Sequence, residues 1–139
     1  MAHLTLTIIT PRNIALEKTI DGVTLPASDG EITILPKHIN LFALLVEGIV
    51  HYWVKEEHEY LAIGGGYVET DGETVRLLVT RAHGQNQIDE HKTKQALEEA
   101  QKRLKTVRTA EEHKEVSSLL RRSVVDIKLL KKKRRHTAS

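Results

Sequence analysis

The sequence predicts a chain in two parts: an all-β N-terminal portion built as a small sandwich or barrel, and a C-terminal antiparallel pair of α-helices. Three observations carry this. Through residues 1–87, turn signals recur at spacings of roughly 8 to 12 residues with alternating apolar positions between them. From Ile88 onward the apolar positions repeat at helical spacing instead. The charge changes sign at the same point: residues 1–87 hold 6 Lys plus Arg against 11 Asp plus Glu, a net of −5, and residues 88–139 hold 15 against 8, a net of +7. Two domains, 1–87 and 88–139, are therefore expected.

The strands are read in order from period-two runs. Leu4, Leu6 and Ile8 alternate with Thr5, Thr7 and Ile9. Turn signals follow at Pro11-Arg12-Asn13 and Asp21-Gly22. The segment LPASDGEITILPKH, from Leu25 to His38, predicts a hairpin, because Gly30 can take φ > 0 and the Asp29 side chain can bond nearby N–H groups. Pro26 and Pro36 each remove a ladder donor, so neither is expected in a central, continuous strand. Ile49 to Val54 is a β-branched and aromatic run, and Val75, Leu77 and Val79 share one side of Thr74 to Thr80. Further turns are expected at Glu47-Gly48, Lys55 to His58, Gly64 to Gly66 and Asp71-Gly72.

The helices follow from a cap and two stripes. Asp89 can cap a first helix carrying Ala96, Leu97, Ala100, Leu104 and Val107 on one face. Thr109-Ala110-Glu111-Glu112 has the form of a capping box and opens a second helix with Val116, Leu119, Leu120, Val124, Ile127 and Leu130 in a stripe. Two such helices cannot bury a deep core alone, so the hairpin needs a neighbour or moves between neighbours.

Composition excludes several functions. There is no cysteine, which removes disulfides, thiol catalysis and Cys-based zinc sites, and fits a reducing compartment. No apolar run approaches the ~18 to 20 residues that span a bilayer, and the first residues lack the pattern of a cleaved signal. Gly64-Gly65-Gly66 runs into a strand rather than a phosphate-binding helix, so a bend is expected there. His58-Glu59 lacks a second histidine four residues after the first, and no G-x-S-x-G elbow occurs. The eight histidines show no ligand spacing, and no metal site is expected. The chain is expected to be no enzyme.

In order and spacing, LPASDGEITILPKH, Leu41 to Leu45 followed by Gly48, AIGGGYVE at Ala62 to Glu69, Thr74 to Val79, and Ile88-Asp89 before an Ala-rich helix resemble the epsilon subunit of bacterial and chloroplast F-type ATP synthases, the counterpart of mitochondrial delta. The resemblance covers nearly the whole chain. It implies an N-terminal β-sandwich of about ten strands followed by a C-terminal two-helix hairpin. It also implies a non-catalytic central-stalk role that couples proton-driven rotation of the c-ring to ATP synthesis through gamma. Implied partners are the gamma subunit, the c-ring and the α/β catalytic hexamer. One copy per complex is expected, peripheral to the cytoplasmic face of the bacterial cell membrane.

The same resemblance assigns residues. Glu31 and His38 occupy positions that face the c-ring loops in the family, although an exposed Glu after a turn and an exposed loop His are also simply solvated side chains. His38 would titrate near its unperturbed value of about 6.5. In many bacterial members the hairpin folds against the sandwich or extends along gamma, where basic residues of the second helix meet an acidic segment and block hydrolysis. Arg121, Arg122 and Lys128 are the candidates for that contact, within a run whose only acidic residue from 121 to 135 is Asp126. No cofactor is required. Regulatory ATP binding at Ile88, Asp89 and Lys92 is the remaining implication, but Lys stands for the family's Arg and Thr93 for its Ala, and Lys lacks the bidentate fork.

A nucleic-acid binding module is the alternative, with the β portion as an oligonucleotide-binding barrel and the basic tail neutralising phosphates. The acidic β portion and its five aromatic residues, Phe42, Tyr52, Trp53, Tyr60 and Tyr67, weigh against it. A basic helix lying on anionic lipid is a third reading, weakened by few apolar residues and no aromatic beyond Tyr67.

Overall fold

The computed structural model describes residues 2–37 and 40–138, with side chains through Lys132; His38 lies outside the described residues. The chain divides into two compact units, Met1–His83 and Gly84–Ser139. The division falls four residues before the position expected from charge. Gln85–Gln87 forms a 3₁₀ turn whose Gln85 side chain donates to the Leu130 carbonyl at 2.9 Å, so this turn goes with the helices.

The first unit contains β1 (Leu4–Ile9), β2 (Ile14–Ile20), β3 (Gly22–Ala27), β4 (Gly30–Ile34), β5 (Leu41–Leu45), β6 (Gly48–Val54), β7 (Glu57–Ile63), β8 (Gly66–Thr70), β9 (Thr74–Val79) and β10 (Ala82–His83). They form one ladder ordered β10-β7-β6-β3-β5-β8-β9-β1-β2, with β4 beside β3. All pairs are antiparallel except β1 with β9. Leu4, Leu6 and Ile8 of β1 share a single buried cluster with Val50 and Tyr52 of β6 and with Val75 and Leu77 of β9, so the sheet curls over its own inner face. The Lys18 ammonium over the Tyr52 ring, 5.7 Å from its centroid, joins β2 to β6 across that closure. This is the expected ten-stranded sandwich, close to a barrel.

The hairpin from Leu25 onward forms as read. Ser28 and Asp29 make its loop, Ala27 pairs with Gly30, and Gly30 has φ 120°, a conformation glycine reaches without strain. The expectation for Pro26 needs correction, because β3 lies inside the sheet. Its edge away from β4 pairs with β6 from Gly22 to Thr24 and with β5 at Ala27, so Pro26 sits where one neighbour hands over to the next. There its carbonyl accepts from Val46 N–H at 2.9 Å, and no continuous ladder requires its missing donor. Pro36 lies outside any strand, as expected.

Two carboxylates fasten turns. Asp21 accepts from Lys55 N–H at 2.6 Å and pairs with His3 at 2.9 Å, and these bonds, the Lys55 one foremost, hold its carboxyl below the ordinary range. Asp71 accepts from the N–H groups of Thr74 and Glu73, and is lowered for the same reason. Burial, and secondarily the charge of Glu59, raises the Tyr52 phenol.

The second unit contains α1 (Glu90–Leu104) and α2 (Ala110–Ala138), packed together. Asp89 caps α1 through Lys92 N–H at 3.0 Å, and Thr109 Oγ1 caps α2 through Glu112 N–H at 3.1 Å. Ala100 and Val116 are wholly buried. Two details differ from the sequence reading. Val107 falls in the connection after α1, and Leu129, left out of the expected stripe, is wholly buried beside Leu130.

Candidate protein interface

The distinctive site is an apolar face that the sheet leaves outside. Along β5, Leu41, Ala43 and Leu45 turn toward the core, which forces Phe42, Leu44 and the following Val46 outward. They are 62%, 59% and 44% exposed. Register carries the apolar row across four more strands: Leu44 opposes Tyr67 on β8, Tyr67 opposes Leu78 on β9, Leu78 opposes Ile9 on β1, and Ile9 opposes Ile14 on β2.

A register shift completes the row. Ile8 pairs with Leu16, but Ile9 pairs with Ile14, so the irregularity between them adds a residue to β2. Without it, strict alternation would turn Ile14 inward like Leu16; with it, Ile14 is 59% exposed on the outer face. Phe42 and Tyr67 meet with ring centroids 5.1 Å apart. Beside them Arg76 donates to Glu69 at 2.7 Å, a polar border to the row. Contiguous apolar exposure of this kind, rimmed by polar groups, is characteristic of interaction surfaces.

The residues expected from sequence lie elsewhere. Glu31 is exposed on β4, near the tip of the hairpin, and the loop at that tip is held against β5 by Ser28 N–H to Leu44 O at 3.0 Å. Arg121, Arg122 and Lys128 are exposed on α2, with Lys131 and Lys132 beyond them. Ile88, Asp89 and Lys92 gather at the start of α1, where the Asp89 carboxylate occupies the helix N-terminus that would otherwise attract an anion. That arrangement fits a helix cap. Lys94 pairs with Glu90 at 3.3 Å on the same helix. Among the described residues, no cluster of three or more metal-ligating side chains occurs, and no helix is long and apolar enough to cross a membrane.

The outer row escaped sequence reading because Leu41 to Val46 is apolar without interruption. Six consecutive apolar residues on a strand cannot all face one core, and that was the available signal.

Residues 3–85 match the family model described as ATP synthase, Delta/Epsilon chain, beta-sandwich domain. The chain belongs to that family. It is similar to the ATP synthase epsilon chain of Carboxydothermus hydrogenoformans, 36% identical over 99 residues that cover 71% of this chain and 74% of the relative. The epsilon chain of Syntrophobacter fumaroxidans is 32% identical over 127 residues, covering 91% and 95%. A chain in the Euglena gracilis mitochondrial ATP synthase superposes with a TM-score of 0.78 at 21% identity, over 87% of this chain and 77% of that one, which is a likeness of fold. As an epsilon-type chain it is a non-catalytic component of the central stalk of the F-type ATP synthase. Family membership displaces the nucleic-acid reading.

Proposed function

We propose that the sheet unit docks on the gamma subunit through the row Leu44, Tyr67, Leu78, Ile9 and Ile14, with Phe42 and Val46 beside it, and meets the c-ring through the hairpin bearing Glu31. The carrying observation is that register, a bulge and uninterrupted apolar sequence together put these side chains outside rather than in the core. Leaving several large apolar groups in water gives up roughly 1.5–3 kcal/mol apiece, a cost that a permanent partner recovers. Rotation driven by the c-ring then passes through one rigid sheet. The chain works as one copy per complex on the cytoplasmic face of the bacterial membrane. The test is calorimetric titration of the intact chain with purified gamma, beside single-stranded DNA at rising salt. Gamma affinity without DNA affinity supports the assignment, and salt-sensitive DNA binding without gamma affinity reverses it.

The helical unit is proposed to restrain ATP hydrolysis by presenting Arg121, Arg122 and Lys128 to an acidic segment of the α/β hexamer. Their exposure on one stretch of α2 supports this. A chain stopped after Gln87 keeps the whole Met1–His83 unit and is expected to enter the enzyme while raising its ATPase rate. An unchanged rate removes the brake and leaves coupling alone. Charge reversal, Arg121→Glu with Arg122→Glu, is expected to relieve inhibition severalfold, since exposed ion pairs contribute about 0.2–1 kcal/mol each. In the parent, inhibition should weaken as ionic strength rises.

A further inference from the structure

We propose that His51 and His58, on the outer face of the β6–β7 hairpin, form a bidentate site for an imidazole-preferring divalent transition ion such as Zn²⁺ or Cu²⁺. Sequence spacing hides the pair, because the two histidines are seven positions apart with a turn between them. Register reveals it. His51 opposes Tyr60 and Trp53 opposes His58, so the histidines are diagonal neighbours on one face. Their facing nitrogens, His51 Nε2 and His58 Nδ1, are 2.6 Å apart in a half-buried position.

That contact has one ring N–H pointing at the lone pair of the other ring. A metal ion takes the place of the shared proton. When the pair is neutral the proton moves to the donor ring's opposite nitrogen, and when the pair carries a charge it leaves as H⁺. With metal–nitrogen bonds of about 2.0–2.1 Å, two cis ligands sit roughly 2.9–3.4 Å apart, so the facing nitrogens need separate by about half an ångström while the rings turn to aim both lone pairs at the ion.

The rings are held in place for this. His51 stacks on Tyr60 with centroids 4.6 Å apart and planes 12° from parallel. Trp53 lies 5.2 Å from His51 and 6.0 Å from His58. Packed rotamers lose little entropy when a ligand arrives, which favours chelation by two groups over binding at scattered single histidines. The hairpin end is itself fastened by the Lys55 N–H bond to Asp21.

Trp53 is the only tryptophan and supplies the readout. Cu²⁺ bound between the two histidines quenches its fluorescence at short range. In a His3→Gln background, which removes chelation near the chain start, titration of the full-length chain should give saturable quenching at one ion per chain. His51→Gln and His58→Gln should each shift the midpoint by at least roughly tenfold, since even outer-shell changes cost 10- to 100-fold. Equal midpoints in all three proteins, or no saturable quenching, overturn the proposal. A second measurement needs no change at the site: in the same His3→Gln background, imidazole NMR signals of His51 and His58 should shift first on addition of Zn²⁺. Shifts that begin at other histidines overturn it equally.

Discussion

Gly66→Ala is expected to cost the sheet unit about 3 kcal/mol or more, a large fraction of the roughly 5–15 kcal/mol by which a native domain is stable. A Cβ at Gly66 would run into the Leu78 carbonyl oxygen, with Val79 Cα at 2.8 Å and Leu78 carbonyl carbon at 2.9 Å. These are backbone atoms of the paired strand β9, so no side-chain rotamer relieves the overlap. Either β8 and β9 separate or the ladder shifts, and the buried pair Val68 and Leu77 separates with it. The neighbouring Gly65 is an internal control. There a Cβ would meet only the Leu45 carbonyl at 3.5 Å, an ordinary contact, and Gly65→Ala should stay within about 1 kcal/mol of the parent. Urea unfolding of both variants decides the matter: equal midpoints would show that β8 does not need its close approach to β9.

Phe42→Ser combined with Leu44→Ser is expected to weaken gamma binding by at least about 2 kcal/mol, roughly thirtyfold, while leaving unfolding within about 0.5 kcal/mol of the parent. The two effects separate because both side chains point away from the core that their neighbours Leu41, Ala43 and Leu45 fill. Calorimetry against purified gamma measures the first and urea unfolding the second. Retained affinity with intact folding would mean that the outer row serves another contact. Loss of both together would mean that these side chains support the sheet itself.

Most turns were legible because their chemistry is local. Pro11 to Asn13, Asp29 and Asp71-Gly72 fall between strands as expected, whereas of the turns expected at Asp21-Gly22, Asp29-Gly30, Glu47-Gly48, Lys55 to His58 and Gly64 to Gly66 the last residues, Gly22, Gly30, Gly48, Glu57-His58 and Gly66, already open the following strands. The pairing of β1 with β9 left no local trace, since it depends on residues about 70 apart. The central place of β3 was illegible for a related reason: a proline excludes a continuous ladder, but which edge needs one is decided by strands far along the chain. The helix caps were readable in Asp89 and Thr109, while Leu129 was missed because a two-helix stripe widens where α2 meets the Gln85 turn. Of the candidate site residues, sequence located Glu31, Arg121, Arg122 and Lys128 on exposed positions. The apolar outer row and the His51–His58 pair emerged only from register, which sequence spacing does not encode.

The parallel pairing of β1 with β9 bears on how the protein is made. Strand β1 leaves the ribosome first, yet Thr5 N–H waits for the Glu73 carbonyl and Ile9 for Leu78. The sheet cannot close until translation has passed Val79, and long-range closure of this kind is slow. Residues 80–139 follow Val79, and their synthesis gives the nascent module time to zip shut while tethered. A ribosome stalled before residue 79 should therefore carry a protease-sensitive chain, and one stalled after residue 139 a resistant one.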